Sequence, residues 1–533
     1  MKTLVVIGAG VSGLVPAKEA LEAGLRVVVL EKSDDVGGLW HPKTGAMWDS
    51  MTTNLSKFTG MYSDFPWPED TQAFPKHNEV YRYLKAYAKH FEVLPHIRFR
   101  SRVTQLDYNK SQWLIRWRTD AVDHEQISDG VIVATGVFSQ PYLPRLPGAA
   151  TFTGSIKHSS CYRSPEEYRD KVVLVVGSSF SGCEIASDLV GVAKSIIHVS
   201  SRPYWVMPRY YPTEDGVRQP IDLVRFTRQA GYHSFGGLTS EEINQAKNRA
   251  YFERVCPEQK DVPALAIEKD STDSPFFTLS DRYLPAVKRG LITVVRGCLL
   301  DLLDGHATIA LPGEESQHVD VDTVVMCTGF RLNLDYLSQA LQEKIAYQAD
   351  DSFQPICLYE SVFHPRLPGF ACVGMIRGPH WAIAELQARW AVAVMSGLVA
   401  LPELAEMEQG IKKELALRAL DPKPQFAHAN YIRILDTIAK HLGVLPDFET
   451  IKEADPNLYK TLWEGAILPV HFRLFGLGKQ PALARQVLAS VAKDMKARHA
   501  EQTAAKALVK ASVLALGARS GGESKRALIS HDL

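Results

Sequence analysis

The 533-residue chain lacks several things that would assign it to a class at once. Its seven cysteines (161, 183, 256, 298, 327, 357 and 372) are odd in number, and none belongs to a Cys-x-x-Cys pair. That pattern points away from a disulfide framework and towards a reducing, cytoplasmic compartment, and no metal site is expected. There is no excess of either charge: 60 lysines and arginines face 60 aspartates and glutamates, which argues against a nucleic-acid partner. No uninterrupted apolar run approaches the about 18 residues that a membrane-spanning helix needs. The chain runs directly into a strand-like segment at Leu4, with no signal-peptide core and cleavage site before it. What is present, 46% apolar and 23% charged residues, is an ordinary globular composition long enough for two domains plus accessories.

TLVVI at 3–7 reads as a buried parallel strand, and GAGVSG follows it at once. A helical pattern then runs to about Ala23, and a second strand, RVVVL, ends at Glu31. Each part has a physical task in dinucleotide binding. Gly8 permits the tight turn, Gly10 lets backbone approach a pyrophosphate, and Gly13 lets helix and strand pack closely. Ala9, Val11 and Ser12 present the free N–H groups of the helix start to the phosphates. Glu31, 18 residues beyond Gly13, stands where an acid accepts hydrogen bonds from a ribose. An acid there suits a cofactor with a free 2′-hydroxyl, FAD or NAD. GGLW at 37–40 favours flavin, because two glycines and a large apolar pair allow backbone and indole to run along a flat ring system; for Trp40 the alternative is a place in the core.

A second apolar run, VVLVV at 172–176, leads into GSSFSG, with Gly177 and Gly182 at the outer motif positions and Ser179 in place of the middle glycine. The strand after its helix, SIIHVS, ends in Ser200-Ser201-Arg202 and carries no acid. A guanidinium there pairs with a 2′-phosphate, so the second fold is read as the NADPH site; the alternative is a surface arginine. One acid-tipped and one arginine-tipped fold in a single chain suggest a flavin reduced by NADPH.

Between the folds, FTGSIKHSSCY sets Phe152, Gly154, His158 and Tyr162 at F-x-G-x-x-x-H-x-x-x-Y spacing. This matches the identifying motif of flavin-containing monooxygenases, the class B flavoprotein monooxygenases. EKSDDVGGLW at 31–40 resembles that family's flavin loop, and TTNLSKFTGMYSDFPWP at 52–68 its active-site segment. ATGVFSQPYLP at 134–144 and CTGF at 327–330 resemble its two linkers. ELQARWAVAV at 385–394 resembles the helix facing the flavin, and FRLFGLGKQPALAR at 472–485 the C-terminal segment of the animal enzymes. The resemblance covers about residues 1–490.

What the resemblance implies is an NADPH- and O₂-dependent enzyme that holds FAD, captures O₂ as a C4a-hydroperoxyflavin and passes its distal oxygen to a soft nucleophilic nitrogen or sulfur of a small molecule. Its main demand is exclusion of water and positioned hydrogen bonds rather than acid–base side chains. Asn54 matches the family's active-site asparagine, which acts around the flavin peroxide and the retained nicotinamide; an amide both donates and accepts without titrating. The bland alternative is an asparagine capping a turn. By the same carry-over Thr53 and Leu55 line the cofactors, and Ser181, Gly182, Cys183 and Glu184 open the NADP helix. Lys32, Gly38, Leu39, Val103, Gly136, Gly329 and Gln387 are likewise expected at the cofactors. His158 belongs to a linker implied to reposition NADP, with a structural histidine as the alternative, and Cys183 is expected to be buried rather than reactive.

The expected architecture is α/β: two Rossmann-like dinucleotide-binding domains, the FAD domain discontinuous and the NADPH domain inserted in it, with a helical C-terminal extension. The boundaries are 1–150 and 321–400 for the FAD domain, 151–164 for a linker, and 165–320 for the NADPH domain. Within the latter, 212–285 is a polar insertion over the substrate channel. Residues 401–518 are expected to be helical and 519–533 a disordered tail. Residues 504–518 read as a short helix, packed on the protein or lying peripherally on a membrane surface. A homodimer is expected. Two rival activities keep the same motifs: Baeyer–Villiger oxidation of ketones, whose family typically has tryptophan where Tyr162 stands here, and an NADPH oxidase releasing H₂O₂. A third rival, from another class, is a protein that keeps FAD without turnover.

Overall fold

The computed structural model describes residues 1–213, 216–235, 249–267, 276–303, 306–378, 380–428 and 430–519. β1 (Thr3–Ile7) is buried from Leu4 onward, as a strand covered on both faces must be. α1 (Val11–Glu22) crosses over, and β2 (Arg26–Leu30) pairs with β1 in parallel, Thr3 opposite Arg26 through Ile7 opposite Leu30. Their sheet is parallel throughout, in the order Phe370–Cys372, Gly130–Val133, β1, β2, Ile97–Arg98. An antiparallel meander of Ser101–Asn109, Gln112–Thr119 and Val122–Ser128 separates its third and fourth strands in sequence.

The same succession then repeats. β3 (Val172–Val176), α2 (Phe180–Asp188) and β4 (Ser195–Ser200) are followed by Thr293–Arg296, a second antiparallel meander over 298–320, and Thr323–Met326. The second sheet is also all parallel, in the order Thr293–Arg296, β4, β3, Thr323–Met326, Ser155–His158. The first sheet is closed at its edge by a strand from beyond the second, so the second fold is nested inside the first. The nested sheet is wider than the 165–320 expected of it. It takes Ser155–His158 from the linker and Thr323–Met326 from the stretch assigned to the other domain, because strand pairing rather than motif position decides membership.

α3 (His380–Ser396) lies on α1, and Ala17, Ala20, Ala384, Ala388 and Ala391 are buried in one core with both helices. Small side chains let the two backbones approach there. The C-terminal region is helical: Leu404–Arg418, Tyr431–His441, Phe448–Ala454, Pro456–Trp463 and α4 (Pro481–Arg519). Val487 and Val491 of α4 are buried in the first fold's core, with Leu483, Leu488 and Met495 packed against it. The short helix expected at 504–518 is the distal part of this single 39-residue helix, since no proline or glycine interrupts 482–516. The tail expected at 519–533 lies, past Arg519, outside the described residues. No helix among the described residues is long and apolar enough to cross a membrane.

The expected polar insertion at 212–285 contributes several side chains to the interior. Ile221, Leu223, Phe252, Val255 and Cys256 are buried. The fully buried Arg228 donates to both carboxylate oxygens of Asp436 at 3.0–3.2 Å and to the Leu462 carbonyl at 2.9 Å. Its charges are thus neutralised by residues more than 200 positions away, a pairing that local composition does not reveal.

Candidate functional site

The first glycine loop is shaped by contact. Gly8 has φ +106°, and a Cβ on it would lie 2.7 Å from the Ala134 carbonyl oxygen; one on Gly13 would lie 1.9 Å from that of Gly8. Gly10 faces Gly38, whose Cα is 3.4 Å from where a Gly10 Cβ would stand, so two strips of bare backbone oppose each other. This is a cradle that fits a pyrophosphate. The amides of Gly10 and Val11 have no protein acceptor among the described residues, and they stand at the positive end of α1. Ser12 is buried beside them. Glu31 is buried at the tip of β2 and accepts the Ala9 N–H at 2.7 Å and the Ser33 N–H at 2.8 Å. It therefore braces the loop, and each oxygen keeps a lone pair for a ligand hydroxyl.

Gly38, Leu39 and Trp40 form a short 3₁₀ turn, with Trp40 packed against the first core and Lys32 exposed. The segment 53–55 is turned tightly: the Thr53 N–H donates to the Pro75 carbonyl at 2.9 Å and its hydroxyl to the Leu55 carbonyl at 2.7 Å. The Leu55 side chain packs on the core. Asn54 is half-buried, and its Oδ1 accepts a hydrogen bond from Arg209 Nη2 at 3.2 Å. A guanidinium only donates, so the amide atom facing it is the oxygen and Nδ2 is the amide's other, open end. The same Nη2 donates to Glu184 Oε2 on α2 at 2.8 Å. Arg209 thus joins the two nucleotide folds at Asn54.

In the second loop Gly177 has φ +116°, and its Cβ would lie 2.4 Å from the Cys327 carbonyl oxygen; that of Gly182 would lie 1.7 Å from Gly177 O. These contacts reproduce those of Gly8 and Gly13. Ser179 stands at the N-cap of α2 without a side-chain cap bond, and Ser181 is half-buried. Cys183 is fully buried, and burial pushes its thiol well up, which keeps it a thiol rather than a nucleophile. Ser201 and Arg202 are exposed past the end of β4. The Arg202 guanidinium lies over the Phe276 ring, 5.0 Å from its centre, and pairs with no carboxylate among the described residues.

The two linkers cross: Gln140–Pro141 pairs with Phe330–Arg331. Gly136 and Gly329 have φ of +73° and +81° and no atom within 4 Å of an added Cβ. His158 reaches the Gly329 carbonyl with Nε2 at 2.9 Å and the Ser160 hydroxyl with Nδ1 at 2.9 Å, and burial lowers its pKa. It is a neutral strut between linkers. Tyr162 is fully buried and donates to Asp188 at 2.8 Å.

Two further expected residues have side chains engaged within the protein. Gln387 is fully buried; its Oε1 accepts the Gly374 N–H at 2.9 Å and its Nε2 donates to the Glu360 carbonyl at 3.2 Å. Its amide is bonded to backbone at both ends, so the side chain ties the loops at Gly374 and Glu360 to the helix. Val103 packs its side chain on the second core at a bulge in its strand; the Ser101 N–H, bonded to the Glu31 carbonyl at 2.7 Å, ties that strand to the acid.

Three residues were missed. Arg209 lies in no motif. Asp222, fully buried, accepts the Ser56 N–H at 2.8 Å and the Thr59 hydroxyl, fixing the turn after Asn54 from the insertion. Arg473 is buried against Glu19, Asp64 and Glu385 at 3.0–3.2 Å and donates to the Ser63 hydroxyl at 2.7 Å. It pins the C-terminal segment to α1 and α3. Only Arg473 had a signal, its place in a quoted motif.

The family model described as flavin-binding monooxygenase-like matches residues 1–518. The chain belongs to this family. Among its relatives, rat flavin-containing monooxygenase 5 is 31% identical, and mouse dimethylaniline monooxygenase [N-oxide-forming] 2 is 30% identical; each alignment covers 91% of both chains. The fold is shared with S-allyl-L-cysteine S-oxygenase from Allium sativum, at a TM-score of 0.58 and 21% identity over 92% of this chain and 98% of that one. It is shared also with an oxidized steroid monooxygenase bound to NADP, at 0.59 and 17% over 82% and 98%. The protein is a flavin-containing monooxygenase-type oxidoreductase.

Proposed function

We propose that this flavin-binding monooxygenase uses NADPH and O₂ to form a C4a-hydroperoxyflavin on FAD and hands its distal oxygen to a soft nitrogen or sulfur of a small molecule. The balance is NADPH, H⁺, O₂ and substrate in; NADP⁺, water and oxygenated substrate out. The observation that carries the reading is the Asn54 amide, turned on the 53–55 backbone and held by Arg209 at the junction of the two folds. Gly8, Ala9, Gly10, Val11, Ser12 and Gly13 receive the FAD pyrophosphate, and Glu31 its ribose. Lys32, Gly38, Leu39 and Trp40 follow the flavin moiety. Gly177, Ser179, Ser181, Gly182, Cys183 and Glu184 open the NADPH helix, and Ser201 and Arg202 receive the 2′-phosphate. Thr53 and Leu55 close the site around Asn54, with Gly136 and Gly329 allowing the linkers to bend beside it. Asn54 Nδ2 supplies a non-titrating donor where oxygen is transferred, which is what a reaction without acid–base side chains requires. A cytoplasmic homodimer completes the reading; light scattering tests it.

The test mixes anaerobically NADPH-reduced protein with oxygenated buffer. A persistent near-ultraviolet species, lost faster with a tertiary amine or sulfide and yielding N-oxide or sulfoxide, supports the proposal. Immediate return of oxidised flavin with stoichiometric H₂O₂, in the presence of both substrates, overturns it in favour of an oxidase. Ester formed from a ketone at a comparable rate overturns the substrate class.

A further inference from the structure

We propose that Arg209 is a positioning residue through which the NADPH fold sets the orientation of the Asn54 amide, so that oxygen transfer is coupled to occupation of the nicotinamide side. This deepens, and rests on, the proposed function. The backbone of Arg209 is clamped on both sides: its N–H donates to Asp281 Oδ1 at 2.9 Å, and its carbonyl accepts the Ile221 N–H at 2.8 Å. Its side chain is 7% exposed and the Glu184 side chain 6%, so the ion pair between them is shielded from water. Arg282 Nη2 stands 3.7 Å from the same Glu184 oxygen, and Asp281 Oδ2 stands 3.8 Å from Arg209 Nη1.

Within this frame Asn54 has one choice. The two orientations of an asparagine amide, with oxygen and nitrogen exchanged, are nearly alike in shape, and hydrogen-bond partners decide between them. A cation fixed opposite it admits only the oxygen, because an N–H facing an N–H would be repelled. Nδ2 is thereby held as a donor on the opposite side of the amide. Among the described residues the buried Arg209 Nε and Glu184 Oε1 have no partner. The contact therefore holds one donor and one acceptor in reserve at this edge of α2. Because the same Nη2 bonds Glu184 on α2 and Asn54, a cofactor at the start of that helix acts on the cation that orients the amide.

The experiment compares R209K, R209Q/E184Q and N54A in the full-length FAD-loaded protein. R209K keeps a cation opposite Glu184, and R209Q/E184Q removes both charges together, so neither leaves a lone buried charge. The readout is the share of consumed NADPH that appears as H₂O₂, with flavin content and melting temperature as controls. Expected is at least a five-fold rise in that share for R209Q/E184Q and a smaller rise for R209K, each taken per NADPH consumed so that a slower flavin reduction does not enter. In an N54A background, R209K is expected to add nothing, as two residues acting through one contact require. An unchanged H₂O₂ share in either charge-compatible variant, or an additive rise on N54A, overturns the proposal. If the wild-type protein makes no oxygenated product, the functional reading fails instead. Arg209 is then judged by the change that added NADP⁺ produces in the visible spectrum of the oxidised protein, which needs no turnover. Loss of that change in both R209K and N54A supports the coupling, and its retention in both refutes it.

Discussion

Replacing Arg473 with methionine should destabilise the first fold strongly, and more at neutral pH than in acid. The guanidinium is 3% exposed and touches Glu19, Asp64 and Glu385 at once. Lys18, 1% exposed, supports it from the other side, with Asp64 at 2.8 Å and Glu22 at 2.7 Å. Burial alone would raise the Glu19 pKa, but Arg473 and then Lys18 bring it from 4.5 down to about 2. A change of that size corresponds to about 3 kcal/mol favouring the charged form in the folded protein. The folded value is depressed, so this stability is present above the unfolded pKa of about 4.3 and is lost as pH falls through about 2. Glu385 is shifted the other way, raised by burial despite Arg473. Methionine fills the stem's volume but leaves Glu385 without its ion-pair partner and Asp64 with Lys18 alone, and breaking a buried pair in this way costs about 3–5 kcal/mol. Carboxylates deprived of their partner relieve that cost by taking up protons. The gap between wild type and R473M should therefore narrow as pH is lowered from 7 to 5. Guanidinium unfolding of both proteins followed by tryptophan fluorescence at the two pH values measures it. A gap under about 1 kcal/mol at pH 7, or one that widens in acid, would refute the account of the network.

Gly182→Ala should abolish NADPH binding while leaving flavin content near wild type, because a Cβ 1.7 Å from Gly177 O forces the second loop open without touching the first; titration of the oxidised protein with NADP⁺ decides it. Arg202→Ala should weaken NADPH by roughly 1.5–3 kcal/mol and NADH hardly at all, since it removes a charge-assisted bond to a 2′-phosphate; equal losses in steady-state KM would show that Arg202 reads no phosphate. Asp222 has its pKa raised by burial, so the charged carboxylate costs stability increasingly as pH rises above its unfolded value near 3.9. Asp222→Asn keeps an acceptor for Ser56 and Thr59, and its stability relative to wild type should improve from pH 4 to pH 8. A ratio constant over that range in thermal melts would contradict the assigned shift.

The glycine loops were legible in the sequence because their constraint is local. Gly8, Gly13, Gly177 and Gly182 each meet a carbonyl within the same strand–turn–helix unit or on the adjacent strand, so residue type and spacing carry the message. Glu31 was legible as an acid after a buried strand, but its grip on the Ala9 and Ser33 amides was not. Asn54 could be located by resemblance, whereas its partner Arg209 is 155 residues away and follows an unremarkable strand, Trp205–Met207. Gln387 shows the converse: it lies on the expected helix, yet its rotamer is settled by backbone groups at Glu360 and Gly374 that no helical pattern reveals. That Ser155–His158 and Thr323–Met326 join the second sheet was hidden for a related reason. Apolar runs announce strands, but which sheet a strand joins depends on pairing across long loops.

The nesting of one sheet within the other fixes an order of assembly. The inner sheet has all its strands once the chain has been made as far as Met326, whereas the outer sheet, begun at Thr3, waits for Phe370–Cys372. During synthesis from the N-terminus, the segment made first is the one that remains with an open edge, at Gly130–Val133, for more than 200 residues. An unpaired edge of apolar parallel strand is an aggregation hazard. The part of this protein most exposed to misassembly on the ribosome is therefore its FAD fold, and FAD, which joins loops from 8–13 and 31–40 in the proposed complex, is available to steady it before its last strand arrives.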